Sequence, residues 1–396
     1  MRTEEFFEKL LEFGEEWKVK DVESVAQSDE VDIYVEYVGE GQVYDYAPPR
    51  RWRHLDIMQY KTYINAALPR LKMIDGSVKT VTAPWADKHE RHTFLFEIAV
   101  IETLLATKNQ TQTMKLMRCS FDIVNRILHN ATRRGLARRN EDEVIEEIGI
   151  DEKSFKKGHR YASILSDTKG ARVLEVEEHR TKKACQKLIE KGLTQKQREQ
   201  VKRISMDMWE WFQVVAQEKL PQAEIVQEKF HLVTYLNDAI DKVRRREVKE
   251  HVELKESRYA LLKNEENLTE KQRIKFEEIR AANYEVSKAW QVREDFKESF
   301  KNASVEEAEE IFKNWNNSVK KSGIAEVIKV AEMFANHLRG VLNAMTSTTS
   351  NAMAERLNGK IQLLKAVGRG YRKFENFRSA ILFFYGKLSL FPLNYQ

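Results

Sequence analysis

The sequence predicts a mixed α+β protein: a small β module, a three-helix domain, and an alternating strand–helix core interrupted by a long helical insertion. Three patterns point there. Residues 31–82 alternate apolar and polar side chains, the period of half-buried strands. Residues 93–135 repeat apolar residues at helical spacing in three blocks. Residues 146–241 alternate short β-branched runs with helical ones, after which Glu, Lys and Arg dominate to residue 323 without a strand signal. A chain of 396 residues has room for two to three domains. Its 42% hydrophobic content can fill real cores, and 33% charged residues with only six Pro favour solvated helices over a β-rich fold. No apolar run approaches the ~18 residues of a membrane span, and no secretory leader opens the chain. A soluble, cytoplasmic protein without a membrane partner is therefore expected. Cys119 and Cys185 are too few for a disulfide framework and lack zinc-ribbon spacing, so both are expected as buried thiols.

Taken in order, residues 1–30 carry an amphipathic helix from Glu4 to Trp17, with Phe6, Leu10, Phe13 and Trp17 on one side. Residues 31–90 form the β module. Val31, Ile33, Val35 and Tyr37 give one strand, and Asp75-Gly76 turns a hairpin between Pro69–Met73 and Val78–Val81. Arg50, Arg51, Arg53 and His54 surround Trp52, which makes Arg51 and Arg53 candidate phosphate contacts.

Residues 91–145 read as a helix-turn-helix domain: a long helix from Thr93, a short one over Asn109–Met117, a turn, and a third helix from Phe121 to Arg134 capped by Ser120 and stopped by Gly135. Asp122, Asn125, Arg126 and His129 would face a major groove. Arg133, Arg134, Arg138 and Arg139 would hold the DNA backbone, and Lys108 and Ser120 are further candidate DNA contacts. Charge distribution agrees, because residues 107–139 carry a net +7 and residues 351–396 a net +6, whereas residues 1–30 carry −6. Localised basic stretches in a chain of net charge +5 point to a polyanion partner.

Residues 146–241 predict strands at Ile148–Phe155, Tyr161–Leu165, Ala171–Val176, Val201–Met206 and Ala223–Val226, with helices at Thr181–Lys191, Trp209–Lys219 and Asn237–Arg246. Three antiparallel strands, then helix, strand, helix, strand is the order of a ribonuclease-H-like core. That core sets the acid on its first strand, Asp151, beside the acid ending its fourth, Asp207. Residues 242–323 are the helical insertion, and residues 324–396 return to the core and end in a basic tail. In the helix from Ala352, Glu355 and Asn358 share one face while Leu357, Ile361 and Leu364 share another, so Glu355 points away from the apolar stripe. Hard divalent cations prefer carboxylate oxygens. Two strand-end aspartates and a helical glutamate can hold two Mg²⁺ ions, with Mn²⁺ as a substitute, for phosphodiester chemistry. Lys153, Lys156, Lys157 and His159 follow Asp151 and are candidate phosphate contacts, as are Arg356, Lys360, Arg369, Arg372 and Lys373.

These acids and their surroundings resemble the ISL-three family of bacterial insertion-sequence DDE transposases. The likeness is carried by Trp52-Arg53-His54-Leu55-Asp56, Pro84-Trp85-Ala86, Gly149-Ile150-Asp151-Glu152 and the residues that follow to His159, Lys229-Phe230-His231, Glu266-Asn267-Leu268-Thr269, Ser350-Asn351 with Glu355 and Asn358, and Gly370-Tyr371-Arg372-Lys373-Phe374. The resemblance implies a metal-dependent enzyme that binds the terminal inverted repeats of a mobile element, cleaves at its ends and joins the 3′ ends to target DNA. It places the catalytic residues at Asp151, Asp207 and Glu355, adds His231 as a proton-handling or orienting group, and implies double-stranded DNA as partner, a homodimer on DNA and a nucleoid-associated location. Two departures stand out. Residues 1–90 hold no Cys, so the zinc ribbon common in the family has no thiolate ligands, no zinc is expected, and the β module is expected to be a degenerate ribbon. Glu228 also stands where relatives often have Asp. The alternative reading is a DNA-binding regulator with an inactive ribonuclease-H-like domain, and the presence of all three acids argues against it.

Overall fold

The computed structural model describes residues 2–25, 29–156, 160–299, 301, 303–346 and 352–392, without the side chains at 352, 354 and 355. The chain folds as two compact units, one of residues 1–139 with 364–396 and one of residues 140–363. Among the described residues no helix is long and apolar enough to cross a membrane.

In the first unit α1 (Thr3–Leu11) is shorter than its apolar pattern predicts. Glu12 turns left-handed at φ 47° and Gly14 follows at φ 87°, so the helix cannot continue. Trp17 instead opens β1 (Trp17–Val25), where buried Trp17 and Val19 alternate with exposed Lys18 and Lys20 at the period of a strand. β1 pairs antiparallel with β2 (Glu30–Tyr37), which places Trp17 opposite Tyr37. The module therefore starts at residue 17, not 31. Next come β3 (Val43–Tyr46), β4 (Arg50–Arg53), β5 (Lys61–Ala66), β6 (Pro69–Lys72) and β7 (Val78–Thr80). They form one sheet of order β1-β2-β5-β4 and a second of order β3-β6-β7. The β6–β7 hairpin turns at Asp75-Gly76 as expected, with Gly76 at φ 80° and the Ser77 amide donating to Asp75 over 2.9 Å. Three buried indoles fill the core of the module: the Trp85 ring lies 4.9 Å from that of Trp17 and 5.5 Å from that of Trp52. Buried aromatic area of this size supplies much of the module's cohesion.

Helices α2 (Phe94–Thr107), α3 (Gln110–Leu116) and α4 (Phe121–Ala137) follow, capped by the Thr93, Asn109 and Ser120 side chains. Gly135 does not stop α4. It lies buried inside the helix, where a Cβ would come within 2.6 Å of the Leu388 side chain, so glycine is needed there for close approach. Phe96, Leu104, Val124 and Leu128 share a core with Phe383 of the chain's last helix, α16 (Phe374–Tyr385), and with Leu390. Residues from 364 onward thus pack with the N-terminal half, and the predicted segment 324–396 divides between the two units.

The second unit opens with β8 (Glu147–Lys156), β9 (Arg160–Asp167) and β10 (Arg172–Glu178), all antiparallel neighbours. Helices α5 (Lys182–Gly192) and α6 (Gln195–Gln200), strand β11 (Arg203–Met206), helix α7 (Glu210–Lys219) and strand β12 (Glu224–Gln227) complete a five-stranded sheet of order β10-β9-β8-β11-β12. β8, β11 and β12 run parallel. Ile148, Ile150, Ile204 and Met206 bury one face against Cys185 and Leu188 of α5 and Phe212 and Val215 of α7. Cys185 is fully buried and Cys119 half-buried, neither in a disulfide.

α8 (Lys229–Glu247) starts eight residues before the predicted 237, directly after β12. The remaining helices are α9 (Arg258–Leu262), α10 (Glu270–Ala281), α11 (Glu285–Ser299), α12 (Val305–Lys321), α13 (Ala325–Asn336), α14 (Leu338–Thr346) and α15 (Ala352–Val367). Leu236 and Ile240 of α8 share one apolar cluster with Phe276, Trp290, Phe296, Trp315, Phe334 and Val341. The predicted seams at 241/242 and 323/324 are therefore not visible as breaks in packing.

Candidate active site

The site forms where β11 ends beside the middle of β8, so Asp207 follows a strand end as expected but Asp151 lies mid-strand, because β8 runs on to Lys156 along β9. Ile150 of β8 pairs with Met206 of β11, so Asp151 and Asp207 occupy the next position on adjacent strands. Side chains alternate along a strand. Both acids therefore project with Gly149 and Ser205, away from the isoleucine face that α5 and α7 cover. Met206 pairs in turn with Gln227 of β12, and Glu228 follows it as the cap of α8.

Each aspartate has one oxygen engaged by the backbone. The Glu152 amide donates to Asp151 Oδ1 over 2.6 Å, and the Met208 amide to Asp207 Oδ1 over 2.7 Å. The second oxygen of Asp151 faces the Lys153 ammonium at 3.0 Å and accepts a hydrogen bond from the Asn358 amide of α15. Asn358 thus brings the helix that contains Glu355 against the strand that carries Asp151. The Glu355 side chain lies outside the described residues, as do Lys157, His159 and Ser350-Asn351. Among the described residues no three His, Cys, Asp or Glu side chains gather at metal-ligating spacing.

On α8, His231 Nε2 lies 3.2 Å from Glu228, and Nδ1 lies 4.0 Å from Asp207 Oδ1. The bond to Glu228, with help from the Asp207 charge, raises the imidazole pKa and so favours its protonated form. One turn on, the Tyr235 hydroxyl donates to Asp207 Oδ1 over 2.9 Å, and burial together with the Asp207 charge pushes that phenol's pKa up. By alternation Glu152 belongs to the isoleucine face. There it pairs with Arg180 at 3.0 Å, and the Arg180 guanidinium stacks 3.3 Å over the Trp209 ring. Burial pushes Glu152 up to about 7, although Arg180 pulls it back. Sequence reasoning misses Tyr235 and Arg180, and it reads Lys153 as a phosphate contact, whereas here Lys153 pairs with Asp151. Tyr235 sits four residues after His231, a helical spacing that becomes visible once α8 is known to start at Lys229.

The candidate DNA-binding residues of the first unit are largely occupied within it. Arg53 is buried: it donates to the His54 carbonyl, pairs with Asp56 and lies 4.9 Å over the Phe96 ring. Arg51 is held by Asp32 and Glu30, both at 2.8 Å. Arg134 pairs with buried Glu97 at 2.7 Å and donates to the Leu390 carbonyl. Arg138 donates to the Phe391 carbonyl over 2.6 Å. His129, expected to face a groove, lies between Ser379 at 2.9 Å and Asn376 at 3.0 Å of α16. Asn125 accepts from Gln110, and Arg126 remains exposed while pairing with Glu90 at 3.3 Å. The Ser120 hydroxyl accepts from the Ile123 amide as a helix cap. Lys108, Arg133, Arg356, Lys360, Arg369, Arg372 and Lys373 are exposed; Arg139 and Lys156 are half-buried.

Comparison with known proteins gives this geometry a context. The model of the ISL3-type DDE family, described as Transposase, matches residues 148–381. The chain is 27% identical over 337 residues to the transposase for insertion sequence element IS1001 of Bordetella parapertussis, covering 83% of this chain and 82% of that protein. It is 26% identical over 351 residues to the transposase for insertion sequence element IS1557 of Mycobacterium tuberculosis, covering 82% of this chain and 78% of that protein. The matched family segment contains the sheet, both aspartates, the helical insertion and α15, and spans more than half of the sequence, so the chain belongs to the ISL3 family of DDE transposases.

Proposed function

We propose that this transposase binds the terminal inverted repeats of an insertion sequence, cuts phosphodiester bonds at the element ends and joins the freed 3′ ends to target double-stranded DNA, acting as a homodimer. The five-stranded sheet, with its order β10-β9-β8-β11-β12, serves as a ribonuclease-H-like core, and α2 to α4 serve as the helix-turn-helix reader of the ends. The observation that carries this reading is the pairing of Asp151 and Asp207 on one face of adjacent parallel strands, with Asn358 of α15 bonded to Asp151.

The donor set suits a hard divalent cation. Both groups are carboxylates, each with its Oδ1 bonded to a backbone amide. Asp151, Asp207 and Glu355 would hold Mg²⁺ or Mn²⁺. Bound there, a pair of such ions lowers the pKa of an attacking water and stabilises the leaving 3′ oxygen. The protein's own groups do the rest. Glu355, one turn before Asn358 in sequence, would complete the carboxylate set. His231, hydrogen-bonded to Glu228, can hold a proton beside Asp207 for transfer to or from the reacting oxygens. Exposed Lys108, Arg133, Arg356 and Lys360 and the tail cations Arg369, Arg372 and Lys373 steer phosphates.

The test is incubation of the full chain with a labelled duplex of its own element ends and Mg²⁺, mapping every nick. Strand-specific cuts at the element boundary, absent with EDTA, are expected. Binding of the end duplex without any cation-dependent nick would overturn the enzymatic reading.

A further inference from the structure

We propose that Tyr235 is a positioning residue that fixes which oxygen Asp207 presents to a divalent cation. The proposal rests on the active-site reading above. Asp207 ends β11 and is partly open to solvent, so its carboxylate would be free to rotate if only the strand held it. Two donors remove that freedom by converging on the same atom: the Met208 amide at 2.7 Å and the Tyr235 hydroxyl at 2.9 Å both bond to Oδ1. Neither engages Oδ2, which is left as the oxygen available to a cation. The amide travels with the strand end, but the phenol comes from α8, whose apolar side is locked by Leu232 and Leu236 into the large helical core. Tyr235 thus ties the orientation of a strand-end acid to a rigid element. His231, one turn earlier on α8, stands 4.0 Å from the same Oδ1, so a single helix sets both the acid and its neighbouring imidazole.

Outer hydrogen bonds of this kind orient metal ligands, and their loss costs about 10–100-fold in metal affinity. Tyr235→Phe removes one oxygen atom and keeps the ring that packs on the core. Mn²⁺ binding to the full-length protein would be followed by calorimetry, alongside the Mn²⁺ dependence of end cleavage and thermal denaturation. The expected result is Mn²⁺ affinity about 10–100-fold weaker, a half-saturating Mn²⁺ concentration for cleavage raised by the same factor, and an unchanged maximal rate at saturating Mn²⁺. Unchanged Mn²⁺ affinity in Tyr235→Phe would overturn the proposal. So would a lower maximal rate with the same half-saturation, since that marks a packing role alone. Asp207→Asn in the same titration separates the two levels. If it weakens Mn²⁺ binding while Tyr235→Phe does not, only the tyrosine assignment fails; if it binds Mn²⁺ as the parent does, the active-site reading fails and the assignment with it.

Discussion

Charges remote in the sequence and charges adjacent in the sequence meet opposite fates in this protein. Asp151 lies in β8 and Asp207 directly follows β11, with two strands and two helices between them, yet the sheet sets them side by side on one face. Residues 107–139 pack eight cations into one stretch. Folding disperses them: Arg118 to Asp56, Arg126 to Glu90, Arg134 to Glu97 and Arg138 to the Phe391 carbonyl. The lesson is that local charge density in a sequence overstates a binding surface, because helices point neighbouring residues in different directions. A pair of acids is understated in the same way, because only strand register reveals it.

The strongest test of the contrast removes an acid. Asp151→Asn or Asp207→Asn should lower end cleavage by roughly 10³-fold, the several kcal/mol that ligand-held cations supply. Affinity for the end duplex should stay near that of the parent in a gel-shift titration. A cleavage loss matched by an equal binding loss would merge the two regions into one surface.

Next comes a cation that the fold has taken inside. Arg134→Ala should destabilise by about 3–5 kcal/mol in chemical denaturation, because it strands buried Glu97. The dependence of DNA affinity on salt should not change. A shallower salt slope with normal stability would return Arg134 to the DNA interface.

His54, in the same Trp52-Arg53-His54 segment, separates a core role from a surface one by pH. Burial first, then the neighbouring Arg53 charge, pushes its imidazole down to about 4. The unfolded chain takes up that proton near 6.5 while the folded chain refuses it, so stability falls as pH drops from about 6.5 to 4, by about 3 kcal/mol in all. In His54→Gln that part of the acid sensitivity should vanish from denaturation midpoints measured across this window. An unchanged pH profile would mean the imidazole is not buried neutral.

The smallest effect is expected at an exposed cation. Lys108→Ala should reduce the slope of log affinity against log salt by about 0.9 while leaving stability within about 0.5 kcal/mol. No change in slope would remove Lys108 from the phosphate contacts.

Much of this was legible along the chain. The order of strands and helices from 147 to 227 follows from period-two and period-3.6 runs that are short and well punctuated, and the caps Thr93, Asn109 and Ser120 mark real helix starts. Trp17 continues the helical apolar stripe in sequence yet opens a strand, because apolar residues three or four apart also fit a strand once a break intervenes, and Glu12 and Gly14 supply that break. α8 begins eight residues before the pattern predicts, and its first turn carries exposed Phe230, an apolar residue on the solvent face. Gly135 looked like a stop and proved to be a contact, a distinction that depends on Leu388 far along the chain.

By itself the sequence determined the element types, the mixed class, the strand that bears Asp151 and the strand end that bears Asp207, since these depend on side-chain periodicity within a few residues. Tertiary structure alone decided that both acids share a face, that Tyr235 and Asn358 reach them, and that residues beyond 364 pack with the N-terminal half. Those outcomes depend on register and on packing between segments distant in the chain, and no local pattern encodes which distant partner buries a given face.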